Sequence, residues 1–196
     1  LGVDPMNWPI LERKRNTFDL FTMLWQGTYV GDRKGGQLVM DLFEEMDLPC
    51  ARLILKCNPT YMPSRISWDM VLNEKGTIRS IGARYSPREM WKLLKSIDLS
   101  IYPSSSEGFG LIPLEHMATG LPVILSANTG MLEFCDLNGI YNLPLKCSLQ
   151  SASYGQACGE DYRPDKDDLR AKILWAYENP DSIRAMGERA AHWVCE

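Results

Sequence analysis

The chain has 196 residues, 45% of them apolar and 23% charged, with a formal net charge of −4. That is length enough for one full-sized domain with its own core, in an ordinary soluble balance. The acidic charge argues against nucleic acid as a partner, and without a run of about 18 apolar residues no membrane span is expected.

The opening residues, LGVDPMNWPI, lack the basic start and apolar stretch of a signal peptide, so a cytoplasmic location is expected. The first residue is not Met, and a piece of a longer protein is expected. Residues 1–17, with Pro5, Pro9 and the basic cluster ERKR, read as a linker, and 18–196 as the domain. FDLFTMLWQG (18–27) suits a strand ending at Gly27. The spacing of Leu38, Val39, Leu42, Phe43 and Met46 predicts a helix, and ARLILKC (51–57) a buried strand. Residues 58–76 are polar, with a short helix expected near SWDMVLNE. TIRSIGA (77–83) is a strand. SPREMWKLLKSI is a helix with Ser86 as N-cap and Pro87 at its first position. LSIYPS (99–104) is a strand, and GLIPLEHMATG a helix closed by Gly120. PVILS (122–126) and GIYNLP (139–144) are strands. Residues 145–163 read as a long loop. Two helices, each opened by Pro-Asp, end the chain; acidic residues in a first turn suit the helix dipole.

The six cysteines, Cys50, Cys57, Cys135, Cys147, Cys158 and Cys195, form no CxxC pair. Reduced thiols and no metal are expected, with a Cys147–Cys158 disulfide as the alternative.

Strands that are continuous apolar runs, alternating with helices, define a parallel sheet covered on both faces. The fold class is α/β, an open doubly wound, Rossmann-like domain. Ligands of such sheets bind beyond the carboxyl ends of the strands. Those ends carry GTYVGDRKGG, SIGARYSP and PSSSEGFG.

The last of these continues into a helix and holds two carboxylates, Glu107 and Glu115. Gly108 and Gly110 let backbone approach a ligand closely, and the first helical amides, around Gly110 to Ile112, can face an anion. Glu107 lies in the loop before the helix and Glu115 about a turn inside it. Carboxylates beside a phosphate make sense if each holds a vicinal diol of a sugar. The ligand this implies is hexose–diphosphate–ribose–base. The plainer alternative makes Glu107 a cap partner and Glu115 a solvated helix residue. Arg33 and Lys34 read either as phosphate ligands or as a solvated pair. Arg84 and Tyr85 read as surface loop, and Ser104 to Ser106 as turn formers. Asn128, Thr129, Gly130 and Glu133 either shape the pocket or are structural. His116 and His192 are packing or surface residues. Trp91, Trp175 and Trp193 suit core or interface better than sugar platforms.

EGFGLIPLE carries a Glu-x7-Glu pattern, continued by MATGLPVILSANTGMLE, and GVDPMNW opens the chain. Together these resemble the C-terminal, donor-binding half of the retaining GT-B glycosyltransferases of family 4. The resemblance implies that Glu107 contacts the donor sugar, that the backbone of Gly108, Phe109 and Gly110 lines it, and that Leu111 and Ile112 offer amides to the diphosphate. It implies that Glu115 holds the ribose and Lys34 neutralises the diphosphate. Where the family carries Arg after the glycine matching Gly27, this chain has Thr28, with Arg33 as the substitute. His116 stands where a small alanine is usual. The implied activity is metal-independent hexosyl transfer from a UDP-, GDP- or ADP-sugar, with no cofactor. The acceptor, a saccharide or glycolipid, would be held by an N-terminal domain absent from this chain, which alone would be inactive. The resemblance also implies a role in polysaccharide or glycolipid assembly and peripheral membrane association of the full-length protein. The alternatives are a non-catalytic nucleotide or nucleotide-sugar binding module, which Thr28 favours, and an NAD-type protein. The absence of GxGxxG after the first strand disfavours the NAD reading.

Overall fold

Apolar runs form the centre of the molecule. In a computed structural model, which describes residues 2–13, 20–27, 32–57, 77–154 and 157–195, the first strand, β1 (Phe21–Gly27), is followed by α1 (Gly36–Met46), β2 (Ala51–Cys57) and β3 (Ile78–Ile81). Then come α2 (Pro87–Lys95), β4 (Leu99–Tyr102), α3 (Leu111–Ala118), β5 (Val123–Ser126) and β6 (Leu143–Leu145). The six strands form one sheet in the order β3-β2-β1-β4-β5-β6, with parallel pairing throughout. The expected doubly wound α/β fold is present. The helix expected at SWDMVLNE and Thr28 lie outside the described residues.

Successive residues of β1 serve opposite faces. Phe21, Met23 and Trp25 join Val39, Leu42 and Phe43 of α1, while Leu24 joins Met90 and Leu94 of α2. Each such buried side chain contributes about 1.5–3 kcal/mol relative to exposure. Helix α2 begins where the sequence says it should. Ser86 accepts from the Glu89 amide at 3.4 Å and Glu89 accepts from the Ser86 amide at 2.8 Å, a reciprocal cap. At the far end of α3, Gly120 takes φ 78, as a helix-closing glycine does. Two helices complete the chain, α4 (Lys166–Glu178) and α5 (Pro180–Cys195). Asp165 caps α4 through the amides of Asp167 and Asp168 at 2.9 and 3.0 Å.

Three expectations need correction. Residues 145–163 are largely not a loop: β7 (Cys147–Tyr154) and β8 (Ala157–Pro164) form a separate antiparallel ribbon. Their residues are mostly polar and small, so no apolar face announces the strands. The register sets Cys158 opposite Ser153 and Cys147 opposite Pro164, too far along the ladder for a disulfide between the two. The strand expected at 139–144 is displaced to β6, because the Asp136 carboxylate accepts from the amides of Asn138 and Tyr141 at 2.9 and 3.0 Å, and holds that stretch in a turn.

Residues 2–13 pack on the domain. Leu11 is 7% exposed and its amide donates to the Thr119 carbonyl at 3.0 Å. Trp91 Nε1 donates to the Asn7 carbonyl at 2.9 Å. Among the described residues no helix is long and apolar enough to cross a membrane.

Candidate functional site

In strand order the sheet changes direction between β1 and β4, the two adjacent strands from which the chain winds outward both ways. A crevice forms outside the carboxyl ends at such a switch. Beyond β1 lies a short 3-10 turn, Asp32–Lys34, which leads into α1. Beyond β4 lies the 103–110 loop, which leads into α3.

The turn is fixed from within the core. Trp25, 0% exposed, donates from Nε1 to the carbonyl of Lys34 at 2.9 Å. The two connections are clipped together, since the Ser105 amide donates to the Arg33 carbonyl at 2.8 Å. Lys34 Nζ then pairs with Glu107 Oε1, and the side chains are only 12% and 13% exposed. The same carboxylate oxygen accepts from the Tyr102 hydroxyl and the Ser104 hydroxyl, each at 2.9 Å. Burial first, then the Glu107 charge, pushes the Tyr102 phenol far up, so it stays a proton donor.

The loop backbone is held from β5's side. The Glu107 amide donates to Thr129 Oγ1 at 3.0 Å, and the Gly130 amide donates to the Glu107 carbonyl at 3.2 Å. Thr129 adopts φ 42, a costly conformation for a β-branched residue. Asn128 Nδ2 donates to the Ser104 carbonyl at 3.0 Å and its Oδ1 accepts from Thr129 Oγ1 at 3.0 Å. Asn128 and Thr129 are therefore positioning residues for Glu107.

Gly110, at φ 90, turns the loop into α3, and a Cβ there would meet Met131 Cγ at 2.7 Å. The amides of Leu111 and Ile112 open the helix and have no intrahelical partner. Glu115 lies a turn further on. Burial pushes its carboxyl up to about 7, and among the described residues no donor or cation pairs with it. Its charge also acts on Tyr102, as that of Glu107 does.

The structure thus pairs Lys34 with Glu107 at the β1/β4 switch, on the loop that leads through Gly110 into α3. Arg33 is exposed, and its charge opposes the rise at Tyr102. Gly108 is exposed, with open space where a Cβ would stand. The Phe109 ring turns to Phe134, with centroids 5.7 Å apart, so only its backbone remains for the crevice. Sequence reasoning missed two donors, Tyr102 and Ser104. The signal was a tyrosine ending an otherwise apolar strand, followed at once by the serine-rich turn.

Several remaining candidates take structural places. His116 is 0% exposed, its Nδ1 lies 2.9 Å from Ser100 Oγ, and burial lowers it to about 3, so it is a neutral packing residue. Lys56 Nζ sits 4.6 Å from the Tyr85 ring centre and donates to the Ala83 carbonyl at 3.0 Å, while Arg84 is exposed. Trp193 stacks on Tyr141 at 5.1 Å.

A six-stranded parallel sheet in this order, with cations, carboxylates and helix amides at its switch, defines a Rossmann-like α/β domain. Comparison narrows the class. Residues 72–140 match the family model of glycosyl transferases group 1. A stretch of 55 residues is 44% identical to an uncharacterized glycosyltransferase of Methanocaldococcus jannaschii, covering 27% of this chain and 14% of that protein. Among solved structures, the C-terminal domain of LpcC, a glycosyl transferase group 1 family protein from Francisella tularensis, superposes with a TM-score of 0.72 at 14% identity. The alignment covers 99% of this chain and 97% of that one. Sucrose-phosphate synthase from Thermosynechococcus elongatus gives 0.65 at 20% identity, over 91% of this chain and 41% of that one. Anabaena HepE, solved with UDP and glucose, gives 0.66 at 15% identity, over 98% and 50%. This chain therefore spans half or less of the two longer structures. The fold is that of GT-B glycosyltransferase C-terminal domains, and the matches together support a glycosyltransferase group 1 domain.

Proposed function

We propose that this chain is the donor-binding half of a retaining, metal-independent glycosyltransferase of family 4. It would serve the transfer of a hexose from a nucleoside diphosphate sugar. The observation that carries this reading is the Lys34–Glu107 pair at the β1/β4 switch, beside the open tip of α3. A diphosphate entering there gives Lys34 a stronger counter-ion than one carboxylate. The amides of Leu111 and Ile112 supply further donors to the charge that develops on the leaving group. Glu107, released from Lys34 but still held by Tyr102 and Ser104, accepts from hydroxyls of the donor sugar. Glu115 accepts from the ribose. Arg33 adds a second cation from the same turn. The leaving phosphate takes the acceptor's proton, so the chain itself supplies no general base. No cofactor is required beyond the UDP-, GDP- or ADP-sugar.

The acceptor, a saccharide or glycolipid, binds a second domain of the full-length protein, which works in the cytoplasm and associates peripherally with membranes during polysaccharide or glycolipid assembly. The isolated chain binds donor without transferring it. Calorimetry with a panel of UDP-, GDP- and ADP-sugars tests the reading. One nucleotide binds selectively, and Glu115→Ala loses that binding. A folded chain that binds none of them sinks the proposal. Thr28, in place of the family arginine, favours a second reading, a binding module without catalysis. Under that reading the full-length protein binds a nucleotide sugar and neither transfers nor hydrolyses it.

A further inference from the structure

A cavity of about 340 Å³ opens at the opposite, amino edge of the sheet, where β1 and β4 begin. Arg13, Arg52, Lys95, Ser96, Asp98 and Arg184 line it. Among the described residues, four positive side chains thus face one carboxylate, a surplus of three charges in a chain whose net charge is −4. Asp98 is engaged with the sheet, accepting from the Thr22 amide at 2.8 Å. Among the described residues, the side chains of Arg52, Lys95 and Arg184 make no hydrogen bond or ion pair. Gathered like charges repel, and a bound anion removes that cost.

The lining is built, not merely crowded. Arg13 is fixed through the Thr119 carbonyl at 2.7 Å, the Thr119 hydroxyl at 3.0 Å and the Leu94 carbonyl at 3.3 Å. Burial lowers its guanidinium to about 10, and it remains charged at neutral pH. The first turn of α5 also borders the cavity, through Pro180, Ile183 and Arg184, with its dipole directed favourably for an anion. The guanidiniums of Arg52 and Arg184 suit the planar, paired hydrogen bonding that phosphate oxygens accept, while Arg13, whose nitrogens all bond protein groups, adds its charge. The volume sits at the small end for organic ligands. Among the described residues, none of the exposed large apolar side chains lines the cavity, which favours a soluble ligand.

We infer that this cavity is a second anion site, distinct from the crevice at the carboxyl edge, and that it takes a small soluble phosphomonoester. A strand of this length separates the two by about 20 Å, beyond the screening length of physiological salt.

Glycerol 3-phosphate is titrated by calorimetry into the chain, into Arg52→Gln/Arg184→Gln, and into Arg33→Gln, which removes a cation at the carboxyl edge instead. The inference expects saturable binding in the millimolar range or tighter, weakened at least tenfold in the double variant and unchanged in Arg33→Gln. Should the double variant fold poorly, Lys95→Gln, an exposed substitution, weakens binding severalfold. No binding, equal binding by all variants, or loss only in Arg33→Gln overturns the inference. So does co-sedimentation with phosphatidylglycerol vesicles without glycerol 3-phosphate binding. None of these outcomes depends on whether a nucleotide sugar binds.

Discussion

The indole of Trp25 and the backbone of Lys34 are joined by a 2.9 Å hydrogen bond, so a ring sealed in the core fixes the turn that presents the cation of the crevice. Trp25→Phe keeps an aromatic ring but leaves that carbonyl unpaired and opens a cavity. We expect a loss of about 2 kcal/mol in urea denaturation. Nucleotide-sugar affinity should fall severalfold, because the turn carrying Lys34 loses its anchor. A variant with full affinity would show that the turn is fixed by other contacts.

Lys34 and Glu107 should prove strongly coupled. Lys34→Met leaves a mostly buried carboxylate with two neutral donors, and should cost about 3 kcal/mol. Glu107→Gln keeps the shape and should cost less. The double variant should be less destabilised than the two single losses added together, by about 1–3 kcal/mol. Simple additivity in denaturation would mean that the pair contributes nothing.

The Glu115 carboxyl gives a pH signature. Burial raises it from 4.5 to about 7, so the folded chain keeps a proton that the unfolded chain has already lost. Stability from this group is intact below about pH 4.5 and is lost as pH rises through about 7. Glu115→Gln should therefore raise the melting temperature at about pH 8 and leave it unchanged at about pH 4.5. The gain should be about 1 kcal/mol, less than a fully buried group would give, since solvent still screens it. An equal effect at both pH values would show that charge is not the cause.

Gly108 and Gly110 separate function from fold. A Cβ at Gly108 meets nothing within 4 Å, whereas one at Gly110 meets Met131 Cγ at 2.7 Å with φ at 90. Gly108→Ala should change stability by less than about 0.5 kcal/mol, yet weaken donor binding by intruding where the backbone meets the sugar. Gly110→Ala should cost about 2 kcal/mol. Thermal melts and calorimetry on the two variants distinguish these effects.

The sheet was legible because its strands are buried on both sides and read as unbroken apolar runs. The α2 start was legible because Ser86, Pro87 and Glu89 are a local code. The β7–β8 ribbon was not, since strands without a core face carry no such run. Of the crevice, the loop and its two glutamates were readable from spacing. That Tyr102 and Ser104 bind the same oxygen of Glu107 as Lys34 depends on how a strand end twists towards its neighbour. Nor does spacing reveal that Glu115 is half-buried away from cations, which is what moves its proton.

Among the described residues the ribbon pairs only with itself, and Leu149 on it is 52% exposed. Two strands alone are marginal in water, so its amides should exchange with deuterium through local opening. Amides in the middle of β1 should exchange only when the whole domain unfolds. The two sets form separate clocks in one molecule. Lys34 and Glu107 are mounted on the slower one, at the ends of the central strands. The ribbon meets that region at its base, where Asn128 Nδ2 donates to Cys147 Sγ at 3.5 Å, so its far end can open while its base stays tied to the slower set.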